Sequence, residues 1–166
     1  MAMTNHTENV IHLSSRHCSD KGLIAAVSCS EGVGTAKTPV PEARFVAGLG
    51  IENDGHAGTG RQVSLLQVEH VEAFNAVHGL RAGPGDFAEN ILTRDVDLSR
   101  LKPGDSLRIG DTAVLEVLQI GKEILPHHYS FHGFRLLPTL GVFCRVTESG
   151  LVAAGASISN LPKAER

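Results

Sequence analysis

The amino-acid sequence predicts a mainly β fold, α+β in class: a closed or nearly closed β-barrel with a few peripheral helices. Three observations point there. Short apolar runs broken by glycine and proline turns recur from residue 23 onward, the pattern of barrel strands. One stretch alone carries a clear helical period. No regular alternation of strand and helix patterns is visible, so a doubly wound parallel sheet is not expected.

The elements follow in order. Residues 1–20 are polar, rich in Ser, Thr, His and Asn, and read as a flexible N-terminal tail. Residues 21–162 read as one domain, since 166 residues fit a single core. Leu23–Ser28 is an apolar run ending at a polar, glycine-bearing turn, as a buried strand ends in a loop. Pro39 and Pro41 favour edge structure or loop, and Arg44–Ala47 reads as a short strand. Residues 48–60, rich in glycine and holding Asn53, Asp54 and His56, read as a long loop. A helix is expected over 65–78. Ser64 and Gln67 have capping-box spacing, Val68, Val71, Phe74 and Val77 form one stripe, and Gly79 fits a left-handed C-cap. Leu107 and Ile109, the turn Gly110–Asp111 and the run Ala113–Ile120 predict a hairpin. Val142–Thr147 is a further strand, and 151–158 a last, weaker one.

Composition narrows function. The formal net charge of −3 gives no general attraction to nucleic acid or an anionic membrane. Six Phe, one Tyr and no Trp are too few for a base-stacking platform. No apolar run long enough to cross a membrane is present. The N-terminus lacks a signal-peptide core, so the expected location is cytoplasmic. Cys18, Cys29 and Cys144 are widely spaced, which argues against a disulfide framework or a Cys-rich zinc site.

Three segments could carry chemistry. In 50–62, glycines let backbone amides approach a ligand, His56 offers an acid/base group, and Arg61 offers a fork for phosphate or carboxylate. With a helix opening at Ser64, Arg61 and Gln62 would lie beside its positive end; the bland alternative pairs Arg61 with Asp54. In 87–91, Glu89 could act as acid/base or orient Arg61, and Asn90 could bind backbone or ligand. In 121–132, Lys122 follows a strand end and could hold an anion. His127, His128 and His132 there invite a zinc reading, although no carboxylate or thiolate nearby completes a ligand set, and no metal site is assigned.

Taken together, GLGIENDGHAGTGRQVSLLQVEH, GPGDFAENI, DLSRLKPGDSLRIGDTAVLEVLQIGKE, GVFCRV and ESGLVAAGASI resemble a MOSC domain, the C-terminal domain of molybdenum cofactor sulfurases, also found as stand-alone bacterial proteins. The resemblance runs from about residue 22 to 158. It implies a barrel of the pyruvate-kinase type and a role in molybdenum cofactor metabolism. Members of the family are described as carrying sulfur on a cysteine, and some relatives reduce N-hydroxylated compounds with the bound cofactor. Pyridoxal phosphate belongs to the separate sulfurase domain, for which this sequence holds no stretch. The family's motifs correspond to Asn53-Asp54-Gly55-His56, Arg61-Gln62-Val63-Ser64, Phe87-Ala88-Glu89-Asn90 and Gly121-Lys122. Its cysteine falls two residues after the lysine, where this chain has Ile124.

That substitution matters, because sulfur carriage and molybdenum ligation both need a thiolate. The expectation is therefore a protein that binds molybdenum cofactor (molybdopterin) or a related anionic ligand through Arg61, Gln62, Ser64, Glu89, Asn90 and Lys122. His56 would be the catalytic acid/base, and Cys29 or Cys144 would take over sulfur transfer if the fold brings one near Lys122; pairing of 141–146 with 113–120 would favour Cys144. The alternative is a non-catalytic module that holds an anionic pterin-like ligand, or passes it to a protein partner, without sulfur chemistry.

Overall fold

The computed structural model describes residues 20–163. The tail expected over 1–20, with Cys18, lies outside the described residues except for Asp20. The described residues form eleven strands: β1 (Lys21–Cys29), β2 (Thr38–Val40), β3 (Glu42–Val46), β4 (Gly50–Ile51), β5 (Val63–Gln67), β6 (Ile91–Arg94), β7 (Ser106–Ile109), β8 (Ala113–Ile120), β9 (Val142–Glu148), β10 (Gly150–Ala153) and β11 (Ser157–Leu161). Among the described residues two α-helices, α1 (Val68–His78) and α2 (Leu136–Leu140), accompany them. None of the described helices is long and apolar enough to cross a membrane.

Seven strands close into a barrel in the order β1-β11-β7-β8-β9-β5-β6, with β6 returning to β1. A ring with an odd number of strands cannot alternate direction throughout. The one parallel neighbour pair is β5–β6, with Leu65 opposite Ile91, and α1 is its crossover, as a parallel pair requires. This single strand–helix–strand unit lies inside an otherwise antiparallel ring. Register shifts on β1 between Ile24 and Ala26, and on β8 at Val114/Leu115 and Val117/Gln119, add the local twist that closure demands. β2 hangs on β1 outside the ring, and β10, β3 and β4 form a small second sheet.

The barrel wall has apolar residues on both faces over part of its circumference. Its interior is filled by Ile24, Val27, Val63, Leu65, Leu107, Leu115, Val117, Val142, Cys144 and Val146, among others. A second cluster, with Leu66, Val71, Phe74, Phe87, Leu92, Leu137 and Phe143, packs α1 and α2 onto the outside.

The expected hairpin, β7–β8, is present. Three expectations are corrected. Residues 64–67 are strand, not helix: α1 begins at Val68, and Gln67 caps it without a side-chain bond. Ser64 is therefore no cap, and the Arg61–Gln62 segment does not lie at a helix N-terminus. The 48–60 loop contains the two-residue strand β4, paired with β3. The last strand is two, β10 and β11, split by a turn at 154–156. Gly79 does close α1 in the left-handed conformation, at φ 62°.

Candidate functional site

The site begins with alternation along β9. Phe143 points out of the barrel, and Cys144 points in, because successive strand residues face opposite sides. Ser64 is the register partner of Phe143, and Val63 that of Cys144. On the outer side, an open hollow of about 560 Å³ lies over the amino-terminal ends of β5, β6 and β9. Phe87, Phe143, Leu137 and Pro138 supply its apolar surface. Arg61, Lys122, His56, His127, His128 and Tyr129 supply its polar groups.

Arg61 and Lys122, sixty-one residues apart in sequence, converge on one ring. The Arg61 guanidinium lies 5.7 Å and the Lys122 ammonium 5.4 Å from the centroid of Phe143, within cation–π range. Burial, with Arg61 adding, pushes the Lys122 amine down from its ordinary value. Among the described residues no carboxylate lines the hollow. Arg61 bonds the Gln119 side chain at 3.3 Å, and Asp54 pairs with Lys37 instead. Two adjacent cations without an anion form a site that favours negative charge.

The loop 121–135 shapes the opposite wall. The backbone N–H of Lys122 donates to the Pro138 carbonyl at 2.7 Å. Arg135 bonds the His128 carbonyl through Nε and Nη2 at 3.1 and 3.0 Å. Tyr129 donates to the Asp86 carbonyl at 2.8 Å, joining this loop to residues 83–88. Burial, aided by Lys122 and other nearby cations, holds the His128 imidazole below its ordinary value. His127 and His128 line the hollow and His132 does not. No three His, Cys, Asp or Glu among the described residues converge to hold a metal ion.

Gln62, Glu89 and Asn90 stand behind the hollow and hold its frame. Asn90 Oδ1 accepts from the Ser64 backbone N–H at 3.1 Å and faces its hydroxyl at 3.2 Å, while Nδ2 donates to the Ser28 carbonyl at 3.1 Å. It thereby ties β5 to β1. Gln62 Oε1 accepts from Val146 N–H at 3.0 Å, and Nε2 donates to the Gly48 carbonyl at 3.3 Å. Glu89, only 1% exposed, accepts the backbone N–H groups of Gly85 and Phe87. Burial pushes its carboxyl up to about 7, against the pull of those bonds.

Cys144 is 0% exposed, inside the barrel. Burial, with Glu116 adding, pushes its thiol far up. The strand pairing expected of it is present, since it lies opposite Val117, but the side chain is on the face turned away from the hollow. Cys29 is half-buried at the end of β1, and burial raises it too. Ile124 is exposed.

Sequence reasoning missed Lys37, Phe143 and Tyr129. Lys37 carries no motif, and nothing in Ala36-Lys37-Thr38-Pro39 marks a lysine as buried. Phe143 could be found only by knowing which face of β9 looks inward.

The family model of the MOSC domain matches residues 52–121, a span that holds His56, Arg61, Ser64 and Glu89 and stops one residue before Lys122. A search of curated proteins finds no match. Among solved structures, the YUAD protein of Bacillus subtilis is similar with a TM-score of 0.68 at 19% identity, over 83% of this chain and 94% of that one. YiiM of Geobacillus stearothermophilus is similar with a TM-score of 0.65 at 18% identity, over 85% and 75%. YiiM of Escherichia coli gives 0.61 at 22%, over 87% and 72%. These likenesses show a shared fold.

Proposed function

We propose that the chain, which matches the MOSC domain over residues 52–121, acts in molybdenum cofactor metabolism by binding the cofactor, or a related anionic pterin, in the hollow beside Phe143. One observation carries this reading: Arg61 and Lys122 meet over a single aromatic ring in a cavity lined by no carboxylate among the described residues. A phosphate there gains a bidentate partner from Arg61 and a point charge from Lys122. Phe87, Phe143 and Leu137 offer an apolar wall to a ring system, as small-molecule sites commonly do.

The residues fit the phosphate-bearing part of the cofactor. Among the described residues they offer no protein thiolate for its metal, because Ile124 has no sulfur, Cys144 faces the barrel interior and Cys29 does not line the hollow. When bound, the cofactor supplies oxygen- and sulfur-transfer chemistry at its metal. The chain's own contribution is to bind and orient the anion, with Ser64 at the cavity wall and Gln62, Glu89 and Asn90 holding the loops. The burial of Cys144 favours a holding module, passing its ligand to a protein partner, over sulfur carriage on that residue.

Calorimetric titration with a pterin phosphate tests the reading. Arg61→Ala removes one charge-assisted contact, worth about 1.5–3 kcal/mol, and weakens binding tenfold or more. Unchanged affinity in both Arg61→Ala and Lys122→Ala overturns it.

A further inference from the structure

Lys37 has no part in the anion-binding reading, yet it is the most deeply placed ammonium among the described residues. Its side chain is 1% exposed, and that of its partner Asp54 is 0% exposed. A buried ammonium is tolerated only when its donors are used. Lys37 Nζ has three N–H groups and three partners: Asp54 Oδ1 at 2.8 Å, Ser30 Oγ at 3.0 Å and His56 Nδ1 at 3.3 Å. The directions are mutually consistent. Ser30 spends its own hydrogen on the Gly32 carbonyl at 2.7 Å, so its oxygen accepts from Lys37. Asp54 accepts from the backbone N–H of Ser30 at 3.1 Å and of His56 at 3.0 Å. Burial works to raise its carboxyl, but the nearby His56 ring, the Lys37 ammonium and the backbone N–H groups of His56 and Ser30 hold it well below the ordinary carboxylate range. A carboxylate thus faces an ammonium, and an ammonium has no lone pair to offer.

The consequence falls on His56. Its Nδ1 stands 3.7 Å from Asp54 Oδ2, beyond hydrogen-bond length, and within reach of Lys37. Facing a donor, Nδ1 presents its lone pair, and the ring proton goes to Nε2. The opposite edge of the ring is the part left to the hollow, which His56 lines. We infer that Lys37 is a positioning residue that fixes His56 in the neutral tautomer protonated on Nε2, so that the histidine offers the hollow a hydrogen-bond donor and not a base. The assignment rests on the hydrogen-bond network alone; its effect on ligand affinity rests on the anion-binding reading.

Nitrogen-15 NMR of the full chain, labelled on histidine and assigned with His56→Gln, separates the two. Above neutral pH the native protein is expected to show His56 as one tautomer, with Nδ1 unprotonated and Nε2 protonated. Added inorganic phosphate should shift the Nε2 resonance. In Lys37→Met the pattern should relax toward a mixture of tautomers. If that variant does not fold because Asp54 is stranded, Lys37→Met/Asp54→Asn removes both charges and gives the same readout. A native His56 protonated on Nδ1, or an unchanged pattern in either folded variant, overturns the inference. The expected tautomer with no response of the hollow to phosphate upholds the role of Lys37 and counts against anion binding.

Discussion

Lys37 and Glu89 both sit almost out of water, and the fold treats their charges in opposite ways. Lys37 has a counter-charge, since Asp54 lies 2.8 Å away. Removing one member of such a pair strands the other. Lys37→Met is therefore expected to cost about 3–5 kcal/mol, read as a lower urea midpoint. Glu89 has no cation and is pushed up to about 7 from an ordinary 4.5. The folded state thus binds more protons than the unfolded chain between those values. The contribution of Glu89 to stability is fully present below about 4.5, declines as pH rises to about 7 and then levels off. Glu89→Gln should flatten that slope, which spans up to about 3 kcal/mol; a parent protein whose melting temperature is level across this window would contradict it. Asp54 acts in the other direction and in a separate range, below the ordinary carboxylate value, where acid removes its contribution.

At the scale of elements, β5 shows why local signals mislead. Ser64 and Gln67 have capping-box spacing, yet the segment pairs with β9 on one side and β6 on the other. Two ladders and the burial of Val63, Leu65 and Leu66 outweigh one cap, worth about 1 kcal/mol. Asn90 secures the result through bonds to Ser28 and Ser64. Asn90→Ala leaves buried backbone groups without partners and should cost about 2–3 kcal/mol in chemical denaturation, more than a surface asparagine would. The loop before β6 is held as tightly. Gly85 adopts φ 82°, and a Cβ there would sit 2.0 Å from the Lys37 carbonyl oxygen, so this glycine sets how close the loop comes to Lys37.

Across the whole molecule, the β-rich class, the β7–β8 hairpin and the β8–β9 pairing were legible from apolar runs and turn residues. Which side of the wall each residue faces was not. Phe143 and Cys144 are neighbours, both apolar and both buried. Where both faces of a sheet are covered, period-two alternation of polarity disappears. Arg61, Lys122 and His56 were readable as polar residues beside glycines, whereas the buried ammonium behind them depends on contacts between residues 30, 37, 54 and 56, which lie in separate loops that the sequence alone does not bring together. The ring also sets where the longer of the two described α-helices starts. α1 follows the carboxyl end of β5, and the hollow lies at its amino end. Five strand residues, roughly 16 Å, separate them. The attraction for a guest therefore comes from two side-chain tips, those of Arg61 and Lys122, and not from the start of α1. Such a field is easily diluted by dissolved ions, and phosphate affinity should fall several-fold between 20 and 200 mM potassium chloride, to about one part in five or less. Retention of the low-salt value would mean that something other than these two tips does the holding.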